Sequence, residues 1–319
     1  MIDASSPVRS PASVPERPLR LGTRASPLAM AQARLAAAAL CAAHGWAEDR
    51  IAIVPVTASG DRVLDKPLAA LGGKGLWTKE LDVWLNEGSI DLSVHSMKDV
   101  ETIRPDSLVI AAMLPRADVR DVLVGAPSLD AVPRGGRLGT SSPRRQAQIH
   151  RLRPDLETVL FRGNVATRLG RLEAGEADAT LLAAAGLARL GQSSVGTPIP
   201  TDVMLPAPAQ GAIGIETRAD DAAVRALLAP VADADTMACV RAERAVLEAL
   251  GGTCHSPIAA LATIDGGELA LRAQIFAPDG SEEVREECRL ARDDREAALA
   301  VGRALLARAS PALRALFAE

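Results

Sequence analysis

The chain has 319 residues, nearly half of them apolar and a quarter charged, with a formal net charge of −4, which gives room for two or three domains of an ordinary globular protein. An acidic balance with only 2% aromatic residues counts against a nucleic-acid binder, which needs a basic surface and stacking rings. No apolar run reaches the roughly 18 residues of a membrane span, and Cys41, Cys239, Cys254 and Cys288 are too scattered for a zinc site or a disulfide framework.

Residues 1–18 are rich in Pro and Ser and lack the apolar core of a secretion signal, so they read as a flexible tail on a cytoplasmic protein. RLGTRASPLAMAQARL, from Arg20, predicts a short strand ending in Gly-Thr and then a helix. Ser26 is its N-cap, Pro27 its first residue, and it stops at a glycine cap near His44-Gly45. The apolar run from Ile51 to Thr57 is the next strand. LAALGGKGLWTKE, from Leu68, sets Gly72, Gly73 and Gly75 around Lys74 without the spacing of a phosphate loop; it reads as a mobile lid or a plain connector. KELDVWLNEGSIDLSVHS, from Lys79, predicts an amphipathic helix, a glycine stop, an Asp and a buried strand.

The same order then returns. RLGTSSPRRQAQIHRL, from Arg137, repeats the first unit, with Ser142-Pro143 at the helix start and a strand from Glu157 to Phe161. TRLGRLEAGEADATLLAA, from Thr167, repeats the second. The fold class is therefore α/β: two similar lobes with mostly parallel sheets. MLPAPAQGAIGIETR, from Met204, reads as a hinge followed by a strand returning to the first lobe. After Asp233 come a helix, three strands separated by ID-GG and PDG turns, and a last helix from about Arg295, a small α+β domain with an antiparallel sheet. The expected layout is a tail at 1–18, lobe 1 at 19–114 plus 207–232, lobe 2 at 115–206, and a third domain at 233–319.

In two-lobed α/β proteins ligands bind at the carboxyl ends of the strands. The helix starts at Ser26 and Ser142 should face that crevice, where free N–H groups favour anions. Arg24, Arg144, Arg145, Arg162, Arg168 and Arg189 all fall at predicted strand ends or in the first turns of helices, with a fork suited to carboxylates or phosphates. Arg151, Arg153 and Arg171 read as solvated helix faces. Arg144 and Arg145 oppose the helix dipole, a cost that an anionic ligand would offset. SVHSMKDVET, from Ser93, carries His95, Lys98 and Asp99. An acid beside a lysine at a strand end can act as a general acid–base, although from this motif alone a surface turn is the simpler reading. Cys254, in GGTCHSPIAA, has an adjacent histidine but no nearby second ligand, and local reasoning leaves packing and chemistry both open.

Together LGTRASPLA, GDRVLDKPLAALGGKGLWTKEL, DLSVHSMKDV, GTSSPRRQAQ, FRGNVATRL, LPAPAQGAIGIE and GGTCHSPI, in this order from about Leu19 to the C-terminal helix, resemble the porphobilinogen deaminase (hydroxymethylbilane synthase) family. The resemblance implies periplasmic-binding-protein-like lobes and a transferase that joins four porphobilinogen molecules head to tail, releasing ammonia, to give hydroxymethylbilane on the route to haem. It implies a dipyrromethane cofactor held by a thioether to Cys254, in a third domain that anchors it. Asp99, with Lys98 beside it, takes the acid–base position. The six arginines meet the acetate and propionate groups of the growing chain, and Ser26, Lys98, Thr140, Ser142, Asn164 and, more weakly, Gln210 match other positions of the family's cleft. Trp77, Pro143, Thr253 and His255 depart from the family's usual residues without removing a group assigned to chemistry. The resemblance also implies a monomer. A non-enzymatic binder of carboxylate-bearing solutes would share the two lobes, but would need neither Asp99 nor a third domain with Cys254.

Overall fold

The structure is a computed structural model that describes residues 17–56, 78–252 and 256–317. The expectations for the glycine-rich stretch around Lys74, for Trp77 and for Thr253, Cys254 and His255 fall outside these residues.

The first sheet begins with β1 (Leu19–Arg24), followed by α1 (Pro27–His44), β2 (Ile51–Val56), α2 (Lys79–Asn86), β3 (Leu92–Ser96) and β4 (Leu108–Met113). The chain then crosses into a second sheet with β5 (Asp121–Val124), β6 (Arg137–Thr140), α3 (Pro143–Leu152), β7 (Glu157–Leu160), α4 (Val165–Glu173), β8 (Ala179–Ala183), α5 (Ala184–Arg189) and β9 (Thr197–Pro198). It returns to the first through β10 (Ile213–Arg218) and α6 (Ala222–Leu228). The third region holds α7 (Ala234–Ala249), β11 (Ile258–Asp265), β12 (Glu268–Phe276), β13 (Glu283–Leu290), α8 (Arg295–Arg308) and α9 (Pro311–Ala315).

The strand orders are β2-β1-β3-β10-β4 and β7-β6-β8-β5-β9. They are the same plan: in each, one antiparallel strand is inserted in an otherwise parallel set, and that strand is the one the crossing chain supplies. The sheets are thus mixed, but mostly parallel as expected. The third sheet, β11-β12-β13, is antiparallel throughout.

The repeated motifs have a common physical cause. Asp91 precedes β3 and accepts the backbone N–H of Arg20 at 2.8 Å; Asp178 precedes β8 and accepts that of Arg137 at 2.6 Å. Each carboxylate so fixes the register at which its parallel pair begins. The glycine of each Leu-Gly-Thr allows a close approach: a Cβ on Gly22 would stand 2.4 Å from Ile90, and one on Gly139 2.4 Å from the Phe161 ring. Both helix starts are capped by serine, Ser26 accepting from Ala29 and Ser142 from Arg145, and α1 ends at Gly45 with φ +66°. Arg151 is exposed and pairs with Glu283, whereas Arg153 and Arg171 are only part-exposed: Arg153 pairs with Asp155 and donates to the carbonyls of Leu129 and Val132, and Arg171 pairs with Glu176, donates to the carbonyl of Leu160 and lies over the Phe161 ring.

One carboxylate fastens the three regions together. Glu243, fully buried on α7, takes both arms of Arg116 at 2.7 and 2.9 Å, the N–H of Ala209 at 2.6 Å and the N–H of Ala262 at 2.7 Å. Arg116 lies on the outgoing crossing, Ala209 on the return and Ala262 in β11. Ala209 is the one non-glycine among the described residues at positive φ, 61°, a conformation that needs such support. Removing one partner of a buried pair typically costs about 3–5 kcal/mol. Glu243→Gln should therefore lower the denaturant-unfolding midpoint clearly, with loss of domain docking visible by limited proteolysis between residues 205 and 212. An unchanged midpoint would mean that the hinge is held elsewhere.

Candidate active site

The carboxyl ends of β1, β3, β6, β7 and β8 converge on a crevice of about 730 Å³ between the lobes. Arg24 stands at the end of β1 and Ser26 at the start of α1. Lys98 and Asp99 sit on a single turn of 3-10 helix directly after β3. Arg162 follows β7, Asn164 caps α4 by accepting the N–H of Thr167 at 2.9 Å, and Arg168 lies in the first turn of that helix. Arg189 closes α5 and donates to the carbonyl of Gly211 at 2.6 Å. All of these, with Arg145, line the crevice.

A smaller cavity of about 150 Å³ runs on from it towards the third region, sharing Lys98, Asp99, Arg145 and Arg168 and adding Ser142, Arg144, Gln210, Arg244 and Ser256. Thr140 lines neither; it is buried and accepts the N–H of Ser142 at 3.2 Å, shaping the helix start. Cys254 lies outside the described residues, two positions before Ser256.

Arg144 and Arg145 are buried, and the counterion offsetting their position at a helix start is internal. Asp121, fully buried at the first residue of β5, accepts from Arg144 at 2.8 Å and from Arg145 at 2.7 and 3.2 Å. Gln210 donates to the same carboxylate at 2.9 Å. Burial alone would raise the Asp121 carboxyl, but the two guanidinium groups outweigh it and hold it well below the usual range. Arg144 also donates to the carbonyl of Leu205 at 2.7 Å, and Arg145 to that of Leu181 at the same distance. One negative charge therefore faces two positive ones, and the excess stays beside the cavities.

That excess shows in the other cations. Burial, then the nearby Arg145 and Arg162, bring Arg168 down to about 10, with Asp99 opposing. Burial brings Arg189 down to about 10. Lys98 falls to about 8, first through burial and then through Arg145 and Arg144, against the pull of Asp99 and Asp121. Each of these cations would gain from an anion. Two polar atoms near the smaller cavity are also buried without a partner: Nε of Arg144, a donor, and Oε1 of Gln210, an acceptor.

His95 plays a different part from its neighbours. It points into the lobe, 2.8 Å from Ser93 and 3.1 Å from Glu216, whose carboxylate is also bound by Arg104 at 2.8 and 2.9 Å. Asp121 and Arg244 escaped sequence reasoning. Asp121 left one weak signal, a lone acid opening the apolar run DVLV; Arg244 comes from a helix in the third region and left none. No group of three or more His, Cys, Asp or Glu side chains suited to a metal occurs among the described residues.

The family description "Porphobilinogen deaminase, dipyromethane cofactor binding domain" matches residues 19–226, and "Porphobilinogen deaminase, C-terminal domain" matches residues 237–309. The chain is 57% identical over 312 residues to the porphobilinogen deaminase of Sphingopyxis alaskensis, covering 96% of this chain and 98% of that one. It is 52% identical over 276 residues to the porphobilinogen deaminase of Paracoccus denitrificans, covering 86% and 88%. Among solved structures, the periplasmic VFT2 domain of Bordetella pertussis BvgS covers 67% of this chain and 86% of its own, at 14% identity and a TM-score of 0.38. With both domains matched and more than half of all residues shared with a relative over nearly the full length, the chain belongs to the porphobilinogen deaminase family.

Proposed function

We propose that this chain joins four porphobilinogen molecules into hydroxymethylbilane, with Asp99 as its acid–base group and Cys254 as the anchor of a dipyrromethane primer. The observation that carries the reading is the meeting, in one crevice, of the Lys98–Asp99 turn with five arginines, continuous with a cavity that reaches Ser256, two positions after Cys254 in the sequence. The residues suit the primer. The orphaned Oε1 of Gln210 matches a pyrrole N–H, and the orphaned Nε of Arg144, with Lys98 and Arg168, matches ring carboxylates. When bound, the dipyrromethane supplies the nucleophilic pyrrole carbon from which growth starts.

The remaining chemistry falls to the chain's own side chains. Each addition breaks the C–N bond of a porphobilinogen, releases ammonia, forms one C–C bond and passes one ring proton back to the Asp99 carboxylate; after four additions water takes the product off the primer as hydroxymethylbilane. Asp99 keeps the amine nitrogen protonated as that bond breaks, and its carboxylate then faces the positive charge left on the pyrrole. Lys98, still largely protonated at pH 7, stands beside Asp99 as a fixed positive charge. Arg24, Arg162, Arg168 and Arg189, with Ser26 and Asn164, take the acetate and propionate groups, while Arg145 bridges that face to the primer cavity. Thr140 and Ser142 shape the N-terminus of α3 at the cavity wall.

A solute binder would also use the arginines, but it leaves Asp99 and the third region without a role. No helix among the described residues is long and apolar enough to cross a membrane. One chain contributes every group the reading needs, so we take it to act as a monomer.

Asp99→Asn should keep fold and cofactor and lose about 10²–10⁴ in kcat, the usual worth of general acid–base catalysis; near wild-type turnover per cofactor-loaded chain would remove Asp99 from that role. The Lys98 amine, followed by NMR of its side chain, should titrate near 8 rather than at the ordinary lysine value. Since Asp99 pulls that value up and Arg145 pushes it down, Asp99→Asn should lower the midpoint and Arg145→Leu raise it. A midpoint above 10, which is about where an unperturbed lysine titrates, would show that Lys98 is solvated and outside the cluster.

A further inference from the structure

The turn that carries Asp99 is gripped from the third region. Arg244, half-buried on α7, donates through Nη1 to the carbonyl of Val100 at 3.2 Å, and through Nη2 to those of Glu101 at 2.5 Å and Thr102 at 2.9 Å. These are the three residues directly after Asp99. Thr102 in turn donates its hydroxyl to the carbonyl of Gly252 at 2.9 Å, two positions before Cys254 in the sequence. Gly252 is itself tightly seated, since a Cβ there would stand 2.3 Å from Ile258 at the start of β11.

The same turn is held from lobe 1. Arg104 binds the Glu101 carboxylate and is fixed by Glu216 on β10 and by Asp82 on α2 at 2.5 Å. The backbone after Asp99 therefore cannot shift without breaking bonds to two separate bodies. The Arg244 contacts are all to neutral carbonyls, although burial and then Arg104 make its charge costly, bringing it to about 10. A guanidinium is the one side chain whose planar fork can span three successive carbonyls. Arg244 also borders the smaller cavity together with Lys98, Asp99 and Ser256, so it acts next to the chemistry.

We infer that Arg244 is a positioning residue for the reaction: through the carbonyls of residues 100–102, and through Thr102 to Gly252, it sets where the Asp99 carboxylate stands relative to the third region. The inference rests on the reading of Asp99 as the acid–base group. Misplacing a reacting group by about 1 Å can cost about 10² in rate, so the clamp should appear in kcat and leave substrate affinity nearly alone.

The test uses the full-length holoenzyme, with rates expressed per cofactor-loaded chain counted by the colour reaction of dipyrromethane with an aldehyde reagent. Arg244→Gln should lower kcat about 10- to 100-fold with KM changed by less than about threefold. Thr102→Val, which removes one bond, should lower kcat about threefold to tenfold, one bond being worth about 1 kcal/mol. The double variant should lose less than the product of the two, and Arg244→Lys should recover part of the rate. A clamp that merely stabilises the fold predicts the opposite split: lower thermal midpoints, fewer loaded chains and unchanged kcat per loaded chain. That result, or a raised KM at unchanged kcat, overturns the inference. Should Arg244→Gln yield no folded holoenzyme, Thr102→Val decides alone, and wild-type kcat there overturns it. Asp99→Asn is measured alongside. A loss there with wild-type kcat in the clamp variants rejects the clamp alone, whereas wild-type kcat in Asp99→Asn rejects the underlying reading.

Discussion

The buried cations at the start of α3 are organised around one fully buried carboxylate. Asp121 binds Arg144, Arg145 and the amide of Gln210 at once. Without it, two guanidinium groups would be buried at the start of α3 against the helix dipole, a cost several kcal/mol per ion could easily reach. With it, the arginines can be buried in fixed rotamers, and only their excess charge reaches the cavity. Asp121 opens the strand of the outgoing crossing and Gln210 belongs to the return, so the same contact joins the charge of the site to the hinge of the two lobes. A cleft for a carboxylate-rich chain needs positive charge that is already dehydrated and held in place, because binding then loses little to reorganisation.

Much of the fold was legible in the sequence because its punctuation is local. Ser26-Pro27 and Ser142-Pro143 mark helix starts by capping chemistry that needs no tertiary partner, and Gly45 marks a stop for the same reason. The repeat was legible because each lobe solves the same problem twice, with Asp91 and Asp178 fixing the first strand's register and Gly22 and Gly139 giving way to a packed side chain. The third region followed from alternation and turns. The long-range placements were less legible. β5 and β9 are short, and their pairing across sequence separations of 56 to 76 residues is set by the sheet rather than by their own residues.

The site divided along the same line. The crevice arginines, Ser26, Asn164, Lys98 and Asp99 were visible because they sit at element ends, where motif and topology coincide. The partners that hold them were not. Nothing local links Asp121 to Arg144, Glu243 to Ala209, or Arg244 to the residues after Asp99. These links run across crossings of the chain that periodicity does not encode. Sequence reasoning assigned the offset for the two α3 arginines to an external anion; the folded chain supplies part of it internally and leaves the remainder for a ligand.

In the proposed function this charge organisation serves a chain grown on a primer tethered at Cys254. The most direct test is the intact mass of the protein isolated from cells that make porphobilinogen, followed by peptide mapping. An added mass of two pyrrole units should appear on the peptide containing Cys254 and be missing from Cys254→Ser. A wild-type chain of unmodified mass, or an adduct that survives in Cys254→Ser, would contradict that function.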